Sequence, residues 1–416
     1  MNLSPVVIAI PIYFLLMGIE LIVLRFQENP SYRLNDAITN INLGVMSQVT
    51  GVFIKVLSIG VYTLVFENFA LMQIQSNIWT FLLLFFLYDF CYYWAHRMSH
   101  EINLFWGGHV VHHSSEEYNL SVALRQSSTQ TLWTFFFYLP LALIGFDPIS
   151  LVLVSGLNLL YQFWIHTEAI DRMGFLEKFM NTPSHHRVHH GRNPKYIDKN
   201  HGGTFILFDK WFGTFKEEEE RPTYGITTPV KSWNPVWVNI SHYSSMKEEL
   251  GQIHNWKDRI RYLFKKPGWL PDYLGGYRAP KEVEPNYEKF NTTMPNPLNY
   301  YVFFQYVLLM GLTAFFLFNL DTFGILSKIL ISGLIVWSTV SFSGIFEQSK
   351  WYHVQEVLRI TIFSLFIWYV GGEMLSENIM WIVLSVYAFV SYFWLWLNLN
   401  TVKKFQAQIQ NNTQNA

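Results

Sequence analysis

Runs of hydrophobic residues alternate with short polar connections along the chain, and nine of these runs predict membrane-spanning helices. Five come before and four after a long polar stretch at residues 166–298. The predicted spans are Val6–Leu24, Ile41–Val65, Ile78–Trp94, Thr131–Phe146, Ile149–Ile165, Tyr300–Leu320, Phe323–Phe342, Val357–Tyr369 and Ile379–Leu397. Several are shorter than the roughly 20 residues that a perpendicular span needs, so we expect them to extend into neighbouring polar residues. The pattern therefore predicts an all-α, polytopic integral membrane protein.

The distribution of Lys and Arg predicts which side of the membrane each connection occupies. Arg25, Arg97, Arg125 and the Lys/Arg-rich stretch 172–298 fall on one side of the predicted topology. The connections on the other side, which contain no Lys or Arg, are residues 66–77, 146–148, 320–322 and 371–378. By the positive-inside rule the first side is cytoplasmic and the N-terminus lies outside. Lys55 is the exception, because it lies inside the second predicted span and either snorkels to an interface or marks a broken or re-entrant segment.

The composition agrees with a membrane protein and excludes several other classes. Hydrophobic residues make up 51% of the chain and charged residues only 14%, against about 25% charged in a typical soluble domain. The net charge of −1 argues against a nucleic-acid partner, which usually needs a basic surface. A single cysteine, Cys91, excludes a disulfide framework and a cysteine-based metal site. We expect the first apolar segment to remain as a membrane anchor, because no basic region precedes it.

Histidines form three clusters, each where a predicted span meets the cytoplasmic side. The first has H-x3-H spacing and the other two have H-x2-H-H spacing. Their members are His96 and His100; His109, His112 and His113; and His186, His189 and His190. Residues three and four apart share one face of a helix, so each cluster directs two or three imidazoles to one point. This is how a helix holds a metal ion.

Eight clustered imidazoles indicate two metal ions, since zinc usually takes four ligands and iron about six. The spacing does not identify the metal, because nitrogen sites bind several divalent ions. Zinc would serve a structural role, whereas a pair of iron ions can activate dioxygen. A site at the cytoplasmic end of the spans would meet a lipid chain from the bilayer and an electron donor from the cytosol. A metal-binding scaffold or transporter is the non-enzyme alternative, although a transporter should place its ligands near mid-membrane.

The three clusters together resemble the fatty acid hydroxylase/sterol desaturase superfamily of membrane di-iron oxygenases. More narrowly, the segments around and between them resemble its ether-lipid branch, the alkylglycerol monooxygenases. The segments that carry this narrower resemblance are His96–Glu101, His109–Asn119, Leu124–Gln126, Asp198–Asn200, Phe208–Lys210, Phe212–Phe215 and Tyr224–Thr227. The resemblance continues weakly through the C-terminal spans.

The resemblance implies that the eight clustered histidines bind two iron ions and that His166 is a further ligand. It also implies that Glu101 matches an acidic residue important in the ether-lipid enzymes. On a helix Glu101 points about 100° away from His100, so we expect it to contact cofactor, substrate or a ligand's partner rather than the same ion. No residue is assigned to cofactor binding.

The reaction implied by the resemblance is an oxygenation of a lipid. A reduced pterin such as tetrahydrobiopterin supplies electrons, and one oxygen atom enters at the carbon beside an ether oxygen of an alkylglycerol. The product collapses to a fatty aldehyde and glycerol. A sterol or fatty acid hydroxylase or desaturase of the same superfamily is the alternative enzyme. The implied location is a bacterial inner membrane or an endoplasmic reticulum membrane, with the histidine site cytoplasmic; the oligomeric state stays unknown.

Four further residues are expected to support the ligands or to contact a lipid head group. Asp89 and Tyr93 precede His96 along one helical stripe, and a buried carboxylate often accepts a hydrogen bond from a metal-bound imidazole. Asn119 and, less directly, Arg125 follow the second cluster. His242, His254 and His353 are isolated in the sequence, and we interpret them as non-ligands. His201 is left out of the predicted site, and whether His185 or His201 completes it stays open.

The chain is expected to contain five segments. These are N-terminal transmembrane anchor helices at 1–77, a histidine-cluster di-iron hydroxylase core at 78–220, a cytoplasmic or interfacial segment at 221–298, a C-terminal four-helix transmembrane region at 299–402 and a polar tail at 403–416. Within the third segment, Trp233, Trp237, Trp256 and Trp269 predict helices lying on the membrane interface. The tail from Gln406 onward is expected to be disordered.

Overall fold

The protein is helical throughout the part of the chain that the structure describes. This computed structural model describes residues 5–28, 31–284, 286–371 and 377–414. These residues contain two isolated β-bridges but no β-strand. The helices are α1 (Pro5–Phe26), α2 (Leu34–Phe69), α3 (Ile78–Glu101), α4 (Asn103–His113), α5 (Leu120–Ala123), α6 (Gln130–Thr134), α7 (Leu139–Ile144), α8 (Pro148–Trp164), α9 (Pro183–His189), α10 (Leu207–Phe212), α11 (Pro235–Gln252), α12 (Trp256–Phe264), α13 (Asn296–Phe318), α14 (Ile325–Phe346), α15 (Tyr352–Gly371) and α16 (Glu377–Gln414). Short 3₁₀ helices occupy Phe135–Tyr138, Gly174–Lys178, Asp272–Leu274 and Leu320–Thr322. The all-α prediction is confirmed.

Six helical segments among the described residues are long and apolar enough to cross a membrane. They are Ala9–Phe26, Leu34–Phe69, Ile78–Glu101, Asn296–Phe318, Ile325–Phe346 and Met380–Asn398. The other three predicted spans also coincide with helices, but Gln130–Ile144 and Pro148–Trp164 are shorter and α15 includes the charged pair Glu356 and Arg359. The chain therefore has the helices of a multi-pass membrane protein.

Helix α2 is longer than a bilayer crossing requires. Its 36 residues extend about 54 Å, against a hydrocarbon core of roughly 30 Å. The helix continues through Lys55, whose Nζ donates to Gln48 Oε1 at 3.2 Å within the same helix. The interpretation of this segment as broken or re-entrant is therefore wrong. The extra length places the buried polar side chains of Asn35, Asp36 and Asn40 beyond the apolar part of the helix.

The predicted disorder of the C-terminal tail is also wrong for its described part. Helix α16 continues to Gln414, and residues 415 and 416 lie outside the described residues. Once a helix has formed, each added residue gains one backbone hydrogen bond. The sequence after Leu397 contains neither Gly nor Pro, so nothing in it stops that propagation.

The chain folds as two compact units. The first consists of Met1–Lys231 with Val236–Phe290, and the second of Ser232–Pro235 with Asn291–Ala416. The second unit contains α13 to α16, and its interior holds a buried ion pair between Glu356 and Arg359. Glu356 also accepts hydrogen bonds from Tyr301 on α13 and Ser341 on α14. Such a pair is tolerated in an apolar interior because its polar atoms find partners.

Helix α3 is central to the first unit and its apolar stem is enclosed by neighbouring helices. Leu84 and Tyr88 pack with Leu141, Phe146 and Val154 of the α7–α8 region. At its N-terminus Asn77 caps the helix by accepting from two backbone N–H groups. At its other end the helix carries the first histidine cluster. The packing of the stem thus fixes the position of the histidines, which lie about 12–24 Å further along the helix axis.

Candidate metal centre

A one-residue link between α3 and α4 brings the first two histidine clusters together. Ile102 has extended backbone angles, and its N–H donates to Met98 O, which ends α3. The chain reverses at once into α4, so the last turn of α3 packs along α4. His96 Nε2 consequently lies 2.9 Å from His109 Nε2, and His113 Nε2 lies 3.1 Å from the same nitrogen.

The third cluster and His166 approach from two other segments. His166 follows the C-terminus of α8, and its backbone N–H donates to Phe163 O. The short helix α9 begins with Pro183, which suits the first turn because it has no N–H to leave unpaired. His186 Nε2 lies 2.9 Å from His166 Nε2, which in turn lies 3.2 Å from His112 Nε2.

Nine buried histidines form two compact groups, and these are the nine that the sequence predicts as metal ligands. Within each group one nitrogen from every ring lies within 4.8 Å of the others. Group one contains His96, His100, His109, His113 and His189, and group two contains His112, His166, His186 and His190.

The helical spacing explains why each H-x2-H-H cluster serves both groups. In the second cluster His109 and His113 are four residues apart on one face and join group one, while His112 joins group two. In the third cluster His186 and His190 are again four apart and join group two, while His189 joins group one. The two groups are adjacent, with the rings of His113 and His190 only 4.4 Å apart between centroids. The spacing thus allows one cluster to face two neighbouring sites once α4 and α9 are packed together.

The proton positions on His112 and His166 indicate that their facing nitrogens need a cation. His112 Nδ1 lies 3.0 Å from Arg125 O and His166 Nδ1 lies 2.7 Å from Gln162 O. A carbonyl oxygen only accepts, so both Nδ1 atoms carry the proton and a neutral ring leaves a lone pair on Nε2. These two lone pairs face each other at 3.2 Å. A metal ion held by both nitrogens would turn this repulsion into attraction.

Burial keeps these rings neutral at physiological pH. It lowers the pKa of His112 to about 4 and the pKa of His166 well below its usual range. The pKa values of the remaining ligand candidates on α4 and α9 are lowered in the same direction, first by burial and then by their histidine neighbours. Neutral imidazole is the form that binds a metal, so the groups offer lone pairs rather than positive charges.

The distances and the unpaired atoms also fit metal ions. Two nitrogens bound at about 2.1 Å to one ion lie about 3 to 3.4 Å apart at ordinary coordination angles. The four short Nε2–Nε2 distances are 2.9–3.2 Å. Among the nine ligand candidates, the buried Nε2 atoms of His100, His189 and His190 have no hydrogen-bond partner within the described structure. Unpaired buried nitrogens are costly in an apolar interior and are what ligands without their ion would present.

Backbone carbonyl groups hold several rings in these orientations. His96 Nδ1 lies 2.7 Å from His201 O, and His189 Nδ1 lies 2.9 Å from Lys199 O. Both carbonyls belong to one loop in which Asp198 and Asn200 have positive φ angles of 57° and 56°. Asp and Asn tolerate this left-handed conformation better than most residues. The alternation of conformations turns the carbonyls of Lys199 and His201 toward group one.

Replacing Asn200 with alanine is expected to loosen group one. The side chain of Asn200 donates to His185 O and Lys216 O and accepts from the N–H of Lys216. We expect Asn200→Ala to lower the free energy of unfolding by about 2–4 kcal/mol, through lost hydrogen bonds and left-handed strain. Thermal unfolding of the purified protein measures this loss.

The variant Asn200→Gly separates the two causes. Glycine accepts a positive φ angle without strain but makes none of the side-chain hydrogen bonds. It should therefore be more stable than Asn200→Ala by about 1 kcal/mol. Equal stability of the two variants would show that the backbone conformation contributes nothing.

Comparison with known proteins agrees with this geometry. The family model for fatty acid hydroxylases matches residues 81–214, which include both histidine groups. The chain is 38% identical to the alkylglycerol monooxygenase of Homo sapiens over 362 residues, which are 86% of this chain and 81% of that protein. The chain belongs to the alkylglycerol monooxygenase family. It is also 41% identical to the Xenopus tropicalis protein of that name over 62% of this chain and 58% of the relative. The corresponding Danio rerio protein is 35% identical over 81% of this chain and 76% of its own length. No solved structure matches the chain.

Glu101 lies at the edge of group one in a network of charges. Its Oε1 is 3.2 Å from Arg97 Nε and 3.7 Å from Lys266 Nζ. Lys266 Nζ also lies 3.1 Å from Asp198 Oδ2, and Asp198 Oδ1 is 3.7 Å from His100 Nδ1. Burial raises the pKa of Asp198, while the Lys266 ammonium opposes that rise. Two charged residues, Lys266 and Asp198, thus link Glu101 to the ligand candidate His100.

Asp89 supports the site differently from the sequence prediction. Its carboxylate accepts from Asn158 Nδ2 at 2.7 Å and from the N–H groups of Thr204 and Phe205 at 2.9 and 2.8 Å. These contacts tie α3 to α8 and to the loop after His201 rather than to an imidazole. The two carboxylate oxygens of Asp89 each accept a hydrogen bond from one of these two backbone N–H groups. Asp89 therefore positions the segment whose carbonyl holds His96.

Tyr93 and Asn119 form hydrogen bonds with neighbouring segments rather than with the nine rings. Tyr93 Oη lies 3.0 Å from Thr214 Oγ1 and accepts from Arg97 at 3.1 Å. Asn119 caps α5 by accepting from the N–H of Ser121 at 3.0 Å. Their hydrogen bonds hold the surrounding loops.

Among the histidines left outside the prediction, His201 lies nearest to the site. Its ring centroid is 5.0 Å from that of His100, and neither ring nitrogen has a hydrogen-bond partner in the described structure. His201 and His185 nevertheless belong to neither group. His242 interacts with Asn103, and His254 is exposed.

The sequence analysis missed the supporting polar residues of the first two helices. Asn40 Oδ1 accepts from Arg125 at 2.8 Å, and Asn40 Nδ2 donates to Asp36 at 2.9 Å. Glu20, buried in α1, accepts from Thr167 Oγ1 at 2.5 Å, directly after His166 in sequence. The sequence could have indicated Glu20, because an ionisable residue inside an apolar span is costly and usually has a function.

Proposed function

We propose that this protein is a di-iron lipid monooxygenase that oxidises the carbon beside the ether oxygen of an alkylglycerol. The proposal rests on one observation above all, the assembly of nine buried histidines into two adjacent ligand groups. Membership of the alkylglycerol monooxygenase family supports the ether-lipid substrate. The proposed reaction consumes one O₂, two electrons and two protons, adds one oxygen atom to the C–H bond and forms one water. The resulting hemiacetal breaks its bond to the former ether oxygen and releases a fatty aldehyde and glycerol.

The chain provides the ligands, while the bound metal provides the oxygen chemistry. Group one and group two would each hold one iron ion through neutral imidazole nitrogens. The ions would supply the activation of dioxygen and the transfer of one oxygen atom. The carbonyls of Arg125 and Gln162 fix the tautomers of two ligands, so the correct nitrogen points inward.

Burial of the site serves the reaction as well as metal binding. The nine rings are each at most 7% exposed. Exclusion of water limits unproductive release of reactive oxygen and favours contact with an apolar lipid chain. Position at the end of the apolar helix α3 would let an alkyl chain reach the site from the bilayer.

We propose a topology of nine spans, with the histidine groups on the cytoplasmic side. Two connections without Lys or Arg, 66–77 and 146–148, lie together at the other end of α3, where Ser76 Oγ donates to Asp147 Oδ2 at 3.0 Å. The connections and the histidines lie at opposite ends of α3, which supports their placement on opposite sides of a membrane. The proposed membrane is a bacterial inner membrane or that of the endoplasmic reticulum. We retain the five-segment division, with 78–220 as the di-iron core.

The electron donor is proposed to be tetrahydrobiopterin or another reduced pterin from the cytosol. The test uses full-length protein in lipid nanodiscs with iron, O₂ and an alkylglycerol, assayed for fatty aldehyde with and without tetrahydrobiopterin. We expect aldehyde only in the complete mixture. Turnover of a sterol or fatty acid instead of the alkylglycerol would favour the alternative hydroxylase or desaturase. Metal binding without turnover of any lipid would favour a scaffold or transporter.

Glu101→Gln tests whether this residue has a part in catalysis. The change removes a negative charge beside Arg97 and Lys266 but keeps the side-chain volume. We expect aldehyde formation to fall at least about 10-fold with both iron ions still bound, because Glu101 lies outside both ligand groups. The matched control is Glu248→Gln, at an exposed position on α11. Unchanged activity in Glu101→Gln would remove this residue from the proposed site.

A further inference from the structure

Helix α12 presents an apolar face away from the protein. Trp256, Ile260 and Phe264 are 65%, 49% and 55% exposed. They are four residues apart, so they form one stripe along the helix. Asp258 and Tyr262 on the opposite face are buried. The helix therefore packs on the first unit with one side and leaves a second, apolar side without protein cover in the described structure.

Basic residues border this stripe. Residues 255–266 contain five cationic side chains, Lys257, Arg259, Arg261, Lys265 and Lys266, and a single acidic one, Asp258. At about 100° per residue, Lys257 and Arg261 lie on one side of the stripe and Arg259 on the other. Lys265 and Lys266 follow directly after the helix. All five cationic residues are exposed. An apolar stripe between two basic borders is typical of a helix that lies in the headgroup region of a membrane.

The contacts of α12 place it where a candidate membrane span ends. Lys265, the residue directly after α12, accepts at its carbonyl oxygen from the N–H of Asn103 at 2.9 Å. Asn103 begins α4, two residues after the candidate span Ile78–Glu101 ends. The end of an apolar span is the level of the membrane interface, so α12 lies at the depth where an interfacial helix belongs.

We propose that α12 docks into the anionic cytoplasmic leaflet of the membrane that holds this protein. Trp256, Ile260 and Phe264 would enter the headgroup–acyl boundary, and the cationic side chains on both sides would bind lipid phosphates. Two other tryptophans predicted at the interface do not share this role, because Trp233 is buried and Trp269 is half-buried. The proposal concerns membrane docking and does not rest on the proposed reaction.

Side-chain contacts connect the segment that would dock to the metal centre. Lys266 directly follows the residue whose carbonyl binds Asn103, and its ammonium lies 3.1 Å from Asp198 Oδ2. Asp198 is next to His100, with 3.7 Å between Oδ1 and Nδ1. Lipid binding at α12 would therefore take place two side-chain contacts away from group one, through Lys266 and Asp198 to His100.

The test is a depth measurement in the full-length protein. A nitroxide is attached at Ile260→Cys, and the matched control carries it at Arg261→Cys, one residue and about 100° further around the helix. Both are reconstituted in nanodiscs of phosphatidylcholine, with and without phosphatidylglycerol. Power-saturation EPR compares collision of the label with O₂, which concentrates in the bilayer, and with a water-soluble nickel chelate. Protein without an introduced cysteine shows how much label the buried Cys91 takes.

We expect the ratio of O₂ to nickel accessibility to be higher at residue 260 than at residue 261, and to rise further with phosphatidylglycerol. The triple change Lys257→Gln, Arg259→Gln and Lys265→Gln should remove the effect of phosphatidylglycerol. Equal nickel accessibility at both positions would place α12 in water and overturn the proposal. Protection of residue 260 from both reagents would also overturn it, because a protein surface would then cover the stripe.

Discussion

His109→Ala is expected to remove one of two bound metal ions and to lower aldehyde formation by more than about 100-fold. His109 Nε2 lies within 3.1 Å of the Nε2 atoms of both His96 and His113, so it is a central member of group one. Loss of a hydrogen-bond partner of a ligand already costs 10–100-fold in affinity or activity, and loss of the ligand should cost more. Iron content per chain and aldehyde release measure the two effects. The control is His254→Ala, at an exposed histidine outside both groups.

Pairs of substitutions give a sharper result than single ones. His186 and His189 are three residues apart on α9 but belong to different groups. His109→Ala with His189→Ala should keep one ion, because both residues serve group one. The combination of His186→Ala with His189→Ala should lose both ions, because each group loses one ligand although the two residues are close in sequence. If the two double variants retained the same amount of metal, the division into two groups would be wrong.

Asp89→Ala is expected to destabilise the first unit by about 3–5 kcal/mol and to lower iron content. The change leaves Asn158 Nδ2 and the N–H groups of Thr204 and Phe205 without their acceptor, in a position that is 0% exposed. Each buried donor left unpaired costs about 1–3 kcal/mol. The melting temperature of the protein in detergent should fall by about 5–10 °C.

A surface carboxylate provides the control for this prediction. The Asp171 side chain is 87% exposed and lies 3.6 Å from Arg187. Asp171→Ala should change stability by less than about 0.5 kcal/mol, since the Asp171 carboxylate is exposed to water and Arg187 keeps its closer partner Glu218 at 2.7 Å. An Asp89→Ala protein as stable as Asp171→Ala would contradict the role assigned to Asp89.

Much of the fold could be predicted from hydrophobic runs, because a long apolar segment within a membrane satisfies its backbone hydrogen bonds by forming a helix. Eight of the nine predicted spans each coincide with one α-helix, and the fourth coincides with the consecutive short helices of Gln130–Ile144. The end of the third span falls close to the histidines. The true length of α2 was not predicted, since Asn35 and Asp36 read as a polar connection. Their burial depends on partners distant in sequence, such as Ser115 and Arg125 through Asn40.

The histidine positions were predictable for a related reason. Ligands on a helix repeat at three or four residues, so H-x3-H and H-x2-H-H are visible without a structure. His166 stands alone in sequence, and only a family resemblance suggested it. The partition of each H-x2-H-H cluster between two groups depends on how α4 and α9 pack, which spacing alone does not determine. The carbonyl oxygens that orient the rings, such as Lys199 O, belong to the backbone, so the identity of the residue does not reveal them.

The most direct test of the central claim is the iron content of the full-length protein after reconstitution with excess ferrous iron and removal of unbound metal. The two histidine groups predict two iron ions per chain. They also predict one ion per chain after loss of either group, through His109→Ala or His166→Ala. A fully loaded wild-type protein that holds a single ion, or none, would contradict the di-iron account.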